Sequence, residues 1–473
     1  MPKDFDIAVV GSGFGGSLMA MIARRLGHSV ILIERGHHPR FAIGESSTPL
    51  ANLLLEEIAR EYELAALLPL TKWGTWQATH PEIACGPKRG FTFYHHELGK
   101  PWKSEELRRN ELLVAASPHD RIADTHWYRA DVDHFFVREA QNLGVEFVDR
   151  TELDSLEFSG DAVRLSGPNF SVSARFVIDA SGPRGFLFRT LRLNEEAFEN
   201  FPRTQALYTH FDNALRWADV PCYSGGEPPY PVDDAAMHHI FPGGWIWVLR
   251  FNNGITSAGV ATTRDVSEGA KSWNRVLELL PSVQQQFGRA KSVLPFIHLP
   301  RVAFRSGKAV GPRWAMLPSA AGSIDPLLST GFPLTLWGVA RLAKIMEQNW
   351  EPKALREYER ITFAELDRTA KLVAQLYSHF DEFDKFCEVA MRYFAAASFA
   401  EAARRLNRPD KAPSFLCGVD QPIDTINVAG LNDPGRRNWY PCRGKDLIEN
   451  CGKLGVSADE VRAMFRRVGF EAA

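Results

Sequence analysis

Apolar positions fall into short β-branched runs near the start of the chain and into helically spaced sets toward its end. Phe5–Val10 (FDIAVV) reads as a buried strand, Ser17–Gly27 (SLMAMIARRLG) as a helix, and Ser29–Glu34 (SVILIE) as a second buried strand. That order predicts two parallel strands joined by a right-handed crossover. Amphipathic helices are expected over 50–68 and over 131–144, the second capped by Gly144. VEFVDR and ARFVIDASG read as further strands. Between about 195 and 305, Pro, Gly and aromatics surround β-type runs such as GWIWVLRF and ITSAGVATT, which predicts a sheet in a layer apart from the first. From about 335 the spacing turns helical, through YERITFAELDRTAKLVAQLYSHF and DKFCEVAMRYFAAASFAEAARRL. A Pro-, Gly- and Asn-rich stretch at 407–444 then sets off a last small helical piece. No internal repeat is visible.

With 473 residues the chain can bury a large core in two or three domains. Lys+Arg 55 against Asp+Glu 57 leaves a formal charge of −2, without a long run of either sign, so nucleic acid is not an expected partner. Cys85, Cys222, Cys387, Cys417, Cys442 and Cys451 show no CxxC spacing, and HPEIACGPKRG has no metal-ligand spacing. Reduced, mostly buried thiols and no metal are therefore expected, in a cytoplasmic protein. MPKDFDIAVV enters a strand without a basic and apolar leader, and no apolar run reaches the roughly 18 residues of a bilayer span, so no membrane is expected. Twelve Trp and 31 Phe suit large apolar pockets.

Between the first strand and helix, VVGSGFGGSLMA sets Gly11, Gly13 and Gly16 in G-x-G-x-x-G. The first glycine makes the tight turn, the second admits a pyrophosphate against the backbone, and the third lets helix pack on strand. Glu34 closes the second strand, where a carboxylate would accept hydrogen bonds from ribose hydroxyls. A second loop, GSIDPLLSTGFPLT (322–335), runs from Asp-Pro through Ser-Thr-Gly into an apolar helix, a place where helix N–H groups receive anionic or electron-rich ligands.

Further along, THWYRADVDHFFVREAQNLGVEF and ARFVIDASGPRG resemble the second and third FAD segments of flavin-monooxygenase-type proteins. The resemblance implies that Arg129 approaches the cofactor and that Asp179, Ser181 and Gly182 lie near its adenine half. Four blocks in order resemble the flavin-dependent halogenases of the tryptophan-halogenase superfamily, over most of residues 1–345. GESSTP (44–49) resembles their Gly-Glu-Ala-Thr-Ile-Pro strap over the flavin, GGWIWVLRF (243–251) their Trp-x-Trp-x-Ile-Pro block, ASGPRGFL their third FAD segment, and DPLLSTGF (325–332) their halide loop.

This resemblance implies an α/β fold: a Rossmann-type FAD-binding domain (1–190 with 300–345), an interleaved β-rich substrate domain (191–300) and a helical C-terminal part (346–473). It implies cofactor contacts at Gly11, Gly13, Phe14, Gly15, Gly16, Glu34, Arg35, Glu45, Ser46, Arg129, Asp179, Ser181, Gly182, Ser319, Asp325, Gly331 and Phe332. Halide is expected on Ser329, Thr330 and Gly331. The implied activity is that of an FADH2-dependent halogenase using O2 and chloride or bromide, supplied by a separate flavin reductase. Hypohalous acid would reach a catalytic lysine at the far end of a tunnel, and the substrate would be an electron-rich aromatic (phenol, pyrrole or indole type), free or carrier-tethered. Lys88 in CGPKRGFTFYHH stands at the family position, with Lys72 in LTKWGTW as the competing choice.

Three departures stand out. Ser319 replaces the Asp that bonds the ribityl chain, which implies weaker FAD retention. Leu328 replaces the Glu before Ser-Thr-Gly, which points away from free tryptophan and toward a ring activated by its own OH or NH. WIWVLR lacks the Ile-Pro linked to suppressing hydroxylation, which leaves an FAD-dependent monooxygenase or reductase as the alternative; a flavin-binding protein without turnover is a third reading. Trp245 and Trp247 face one side of a strand, as cavity wall or as core. His95 and His96 are expected to be solvated or bonded to backbone more often than functional. EVAMRYFAAASF reads as helix core or pocket roof, and the pairs Arg24–Arg25 and Arg404–Arg405 as solvated helix faces.

Overall fold

A computed structural model describes residues 3–420, 438–440, 452 and 455–468. β1 (Lys3–Val10), α1 (Phe14–Arg25) and β2 (Val30–Ile33) form the expected strand–helix–strand start, with Ile7–Val10 in parallel register with Val30–Ile33. The run Phe14–Ala23 is buried throughout, which explains its lack of a polar face.

The predicted helix over 50–68 is shorter in fact. α2 (Pro49–Glu61) starts with Thr48 accepting from the Ala51 N–H and ends before Glu63, whose φ of 53° leaves the helical region; a 3-10 segment, Ala65–Thr71, holds Pro69. Next come β3 (Cys85–Lys88), β4 (Gly90–His95), β5 (Glu111–Ala115), β6 (Asp124–Trp127) and α3 (Arg129–Asn142), after which the Gly144 N–H bonds the Gln141 carbonyl. β7 (Phe170–Asp179) pairs in parallel with β1.

Two large sheets result. The first runs Val310–Gly311, Trp314–Met316, β7, β1, β2, Glu146–Val148, with a hairpin of Ser155–Ser159 and Ala162–Gly167 on β7. The second is built on β8 (Gln205–Asp212), β9 (Ala236–Phe241), β10 (Gly244–Arg250) and β11 (Thr256–Thr262), and it continues from β9 into β4 and β5. Its alternation separates two cores. Trp245, Trp247 and Leu249 pack with the main core, while Ile246 and Val248 pack on the opposite face with Trp273, Val276 and Phe287 from two covering helices.

Three long helices follow: α4 (Gly331–Glu347), α5 (Pro352–Tyr377) and α6 (Phe383–Arg405). α6 sets Phe386, Tyr393 and Phe394 against Phe91 and Phe93 of β4, so EVAMRYFAAASF is helix core and not the roof of the cavity. Arg404 and Arg405 differ from expectation: Arg404 Nε donates to Glu57 at 2.9 Å and Arg405 Nε to Glu401 at 2.7 Å, so both are half-buried ion-pair partners pinning α6 to α2 and to itself. Arg24 likewise donates to the His28 and Leu143 carbonyls, and Arg25 to that of Glu63. Cys85, Cys222, Cys387 and Cys417 are free thiols; Cys442, Cys451 and much of the 407–444 stretch lie outside the described residues. Among the described residues no helix is long and apolar enough to cross a membrane.

At Gly16 an added Cβ would lie 1.9 Å from the Gly11 carbonyl oxygen, a backbone atom that no rotamer change can clear. Gly16→Ala is therefore expected to lower the melting temperature by several degrees, since overpacking typically costs about 1–3 kcal/mol. A thermal melt identical to that of the parent would refute this reading of the turn.

Candidate functional site

One cavity of about 730 Å³ opens beyond the carboxyl ends of β1 and β7, the position where such sheets bind ligands and within the usual size range of roughly 300–1,000 Å³. Gly11, Gly13, Phe14, Gly15 and Gly16 form one wall, where the N-terminus of α1 points inward. Glu34 and Arg35 follow from the end of β2. Burial alone would raise the Glu34 pKa, but Arg40 and the N–H groups of Gly36 and Ser12 outweigh it and hold the carboxyl at about 2. Ser181 and Gly182 line the cavity wall beyond β7. Asp179 does not reach the wall: it is buried behind it, accepting from Ser181 N (2.8 Å), Ser181 Oγ (2.5 Å) and Leu187 N (2.7 Å), and so shapes the turn that does.

Arg129 borders the cavity but spends its donors on protein. Nε and one terminal nitrogen make a two-pronged pair with Asp133, each at 2.8 Å, and the other bonds the Ile43 and Gly44 carbonyls. It thereby holds the start of the strap. Glu45 and Ser46 both reach the cavity. The buried Glu45 carboxylate lies 2.8 Å from His210 Nε2 and accepts from Ser257 Oγ at 2.5 Å, which ties the strap to β8 and β11.

Ser319, on the turn just before it, and Ser329, Thr330, Gly331 and Phe332 of the loop of 322–335 close the opposite side, and the Phe332 ring stacks on Phe14 at 4.8 Å. α4 begins there without a side-chain cap, and a Cβ on Gly331 would meet nothing within 4 Å, so its first N–H groups face open space. Asp325 lies behind the loop: it accepts from Trp245 Nε1 (3.0 Å), Leu327 N (3.1 Å) and Tyr377 OH (2.7 Å), and burial, opposed by these donors, pushes its pKa up to about 6. Leu328 packs into the core and not onto the cavity wall.

The second sheet supplies Trp245, Trp247, Tyr208 and His238 as wall, so both tryptophans face the cavity. His238 Nδ1 is 3.1 Å from the Thr92 carbonyl, which makes it the N–H donor and leaves Nε2 as the acceptor; burial lowers its pKa to about 3. His95 Nε2 lies 3.0 Å from the Phe380 carbonyl, and His96 Nε2 2.9 Å from His239 Nδ1, so both are structural.

Lys88 is wholly buried and off the cavity wall. Its Nζ donates to the Ser47 carbonyl at 2.6 Å and sits 3.8 Å from the centre of the Phe91 ring. Burial pulls its pKa down, while Asp124 opposes the fall. Lys72 is partly exposed at the head of a short helix, 3.7 Å from Glu56 and distant in role from the strap. At the head of β3, Cys85 Sγ accepts from Gln77 Nε2 at 3.2 Å, and burial drives its thiol pKa far up. Sequence reasoning missed His210, Ser257, His238 and Asp124, because only strand register brings them to the strap and to Lys88. Among the described residues no group of His, Cys, Asp and Glu could hold a metal.

The residues present fit FAD. Ser46 Oγ is buried at the wall without a protein partner, the N-terminus of α1 opens on the cavity at Gly13 without a side-chain cap, and Glu34 lies on the same wall. The family model for FAD dependent oxidoreductase matches residues 6–313. The chain is 30% identical over 427 residues to the tetracycline 7-halogenase of Kitasatospora aureofaciens, covering 86% of this chain and 75% of that protein. It is 29% identical over 399 residues to the monodechloroaminopyrrolnitrin halogenase PrnC of Pseudomonas fluorescens, covering 80% and 69%. In fold it is similar to the crystal structure of halogenase PltM in complex with phloroglucinol and FAD: TM-score 0.78 over 98% of this chain and 96% of that one, at 23% identity.

Asp325 gives a pH test. Its folded pKa is raised from 3.8 to about 6, so the folded state holds the proton more tightly and ionisation costs stability as pH rises through that window. Asp325→Asn removes the cost, on the order of 3 kcal/mol at full ionisation. The variant's melting temperature relative to the parent should thus improve between about pH 4 and pH 7; a pH-independent difference would sink the assignment.

Proposed function

Since the chain belongs to the FAD-dependent oxidoreductases and, within them, to the flavin-dependent halogenases, we propose that it halogenates an electron-rich aromatic of phenol, pyrrole or indole type, with Lys88 delivering the halogen. When bound, reduced FAD supplies the two electrons with which dioxygen oxidises chloride or bromide to hypohalous acid. The observation that carries the reading is the strap, where Ser46 faces the cavity and the very next carbonyl, Ser47, holds a sealed lysine. A lysine without water has a lowered pKa and unsatisfied donors, as capture of an oxidised halogen requires.

The chain's own residues divide the work. Glu34 and the N-terminus of α1 receive the ribose and phosphates, and the start of α4 at Thr330–Gly331, which lacks a side-chain cap, holds the halide beside the ring site with Ser329 on the adjoining wall. Trp245 and Trp247 wall off water on the sheet side. Lys88 then binds the hypohalous acid through Nζ and presents its halogen to the ring. With Leu328 in the core and Asp325 bonded behind the wall, no carboxylate of the loop reaches the cavity to take the ring proton, so the substrate's own OH or NH must push electron density into the ring. Ser319 in place of a ribityl-binding acid favours flavin that arrives reduced from a separate flavin reductase and leaves again. The two relatives named as acting on tetracycline and on an aminopyrrolnitrin are consistent with a small aromatic substrate.

Mass spectrometry with FAD, a flavin reductase, NADH, oxygen and bromide should give a bromine isotope doublet on a phenol, pyrrole or indole. A product heavier by one oxygen atom and free of bromine would move the reading to monooxygenation. Lys88→Met, which keeps the volume, is expected to abolish halogenated product while FADH2 oxidation continues, whereas Lys72→Ala should leave product unchanged. Persisting product in the Lys88 variant would remove that residue from the mechanism.

A further inference from the structure

The strand pair β3–β6 sets Lys88 directly opposite Asp124, so their side chains leave the backbone as close cross-strand neighbours. Asp124 is buried, and its Oδ1 accepts from Asn52 Nδ2 of α2 at 2.8 Å. Its Oδ2 is buried too and has no hydrogen-bond partner at all. Across from it, the Lys88 head group has three donors when protonated and uses one, on the Ser47 carbonyl. An orphan acceptor and an under-used donor thus start from paired positions in a sealed space, with Nζ turned here toward the strap.

We propose that Asp124 is the positioning residue for Lys88: Oδ2 is a second seat for the head group and receives its proton inside the closed site. This rests on the reading of Lys88 given above. In the transfer the N–H bond of the ammonium breaks, its electron pair stays on Nζ, and an O–H bond forms on Oδ2; nothing is oxidised or reduced. The need for such a partner follows from enclosure, because no water reaches Nζ to carry the proton away.

The other charged or titratable groups around the pair do not compete. His126 on β6 and His238 on β9 are both held near a pKa of about 3, chiefly by burial, and so are poor proton acceptors. From α6, Tyr393 stays neutral because burial raises its pKa, and Arg405 is already engaged with Glu401. Asn52 on α2 is neutral and only orients the carboxylate. Burial pulls Lys88 down and pushes Asp124 up, which brings the two groups together, while each charge favours the other.

The test measures halogenated product per FADH2 consumed against pH. Asp124 raises the Lys88 pKa, so Asp124→Asn should move the limb belonging to Lys88 to lower pH, by roughly one pH unit or more for an opposite charge this close. The plateau should fall about tenfold or more, as for loss of a charge-assisted contact, with FADH2 oxidation intact. Asp124→Glu should bring the limb back toward the parent. Asn52→Ala keeps the carboxylate but removes the contact that lowers its pKa, so it should shift the limb the same way by less; it carries the test if Asp124→Asn does not fold. A lower plateau with an unmoved limb in these variants would reduce Asp124 to a structural role and overturn the proposal. Lys88→Met separates the two failures: if that variant still makes product, the Lys88 reading falls first; if it makes none while Asp124→Asn and Asn52→Ala behave as the parent, only the Asp124 proposal falls.

Discussion

In the segment from Gly44 to Thr48, successive residues of a narrow strap must satisfy opposite sides, and those sides are a cofactor cavity and a sealed lysine. Ser46 reaches the cavity, while the carbonyl of Ser47 accepts from Lys88 and that of Glu45 from the Trp127 N–H at 2.6 Å. Buried polar backbone has to be paired, so the strap cannot drift without breaking bonds on both sides. Arg129 fixes its start, Glu45 fixes its middle through His210 and Ser257, and Thr48 turns it into α2. The position of Lys88 relative to the cavity is a consequence of that closure.

A second constraint is the cost of buried charge. Asp325, Glu45 and Asp133 lie in the interior, and each is surrounded by donors from a different part of the chain. The bonds that meet this cost are also the ones that assemble the site. Trp245 and Tyr377 on Asp325 join the second sheet, α5 and the loop before α4; Asp133 joins α3 to α1 through the Phe14 N–H. Carboxylates behind the cavity wall thus act as joints between elements that share no sequence neighbourhood.

This division explains what could be read from the sequence. The glycine turn, β1, α1, β2 and the start of α4 are local features, written in spacing and cap chemistry over a dozen residues, and the cavity forms where they point. The alternation of Trp245 and Trp247 was equally legible, though the face they share needed the sheet partner to become wall. Strand pairing was not. β4 and β5 join β9 in the second sheet from over a hundred residues away, and Asp124 meets Lys88 only through the β3–β6 register. The helix expected through 50–68 failed for a smaller reason: its apolar spacing continues past Glu61, while the backbone turns at Glu63. Asp179 and Asp325, expected as cofactor contacts, lie one layer behind the cavity wall, since a motif reports proximity and not which atom faces the space.

Under the proposed function, the protein must also survive its own oxidant. Cys85 lies on the same strand as Lys88, three residues earlier, and thiols are among the groups an electrophilic halogen consumes first. The reactive form is the thiolate, which the burial of Cys85 suppresses, and alternation along β3 turns the two side chains to opposite faces. The same enclosure that dries the lysine therefore also shields the nearest sulfur along the chain, so the working life of the protein depends on how little its interior opens between turnovers.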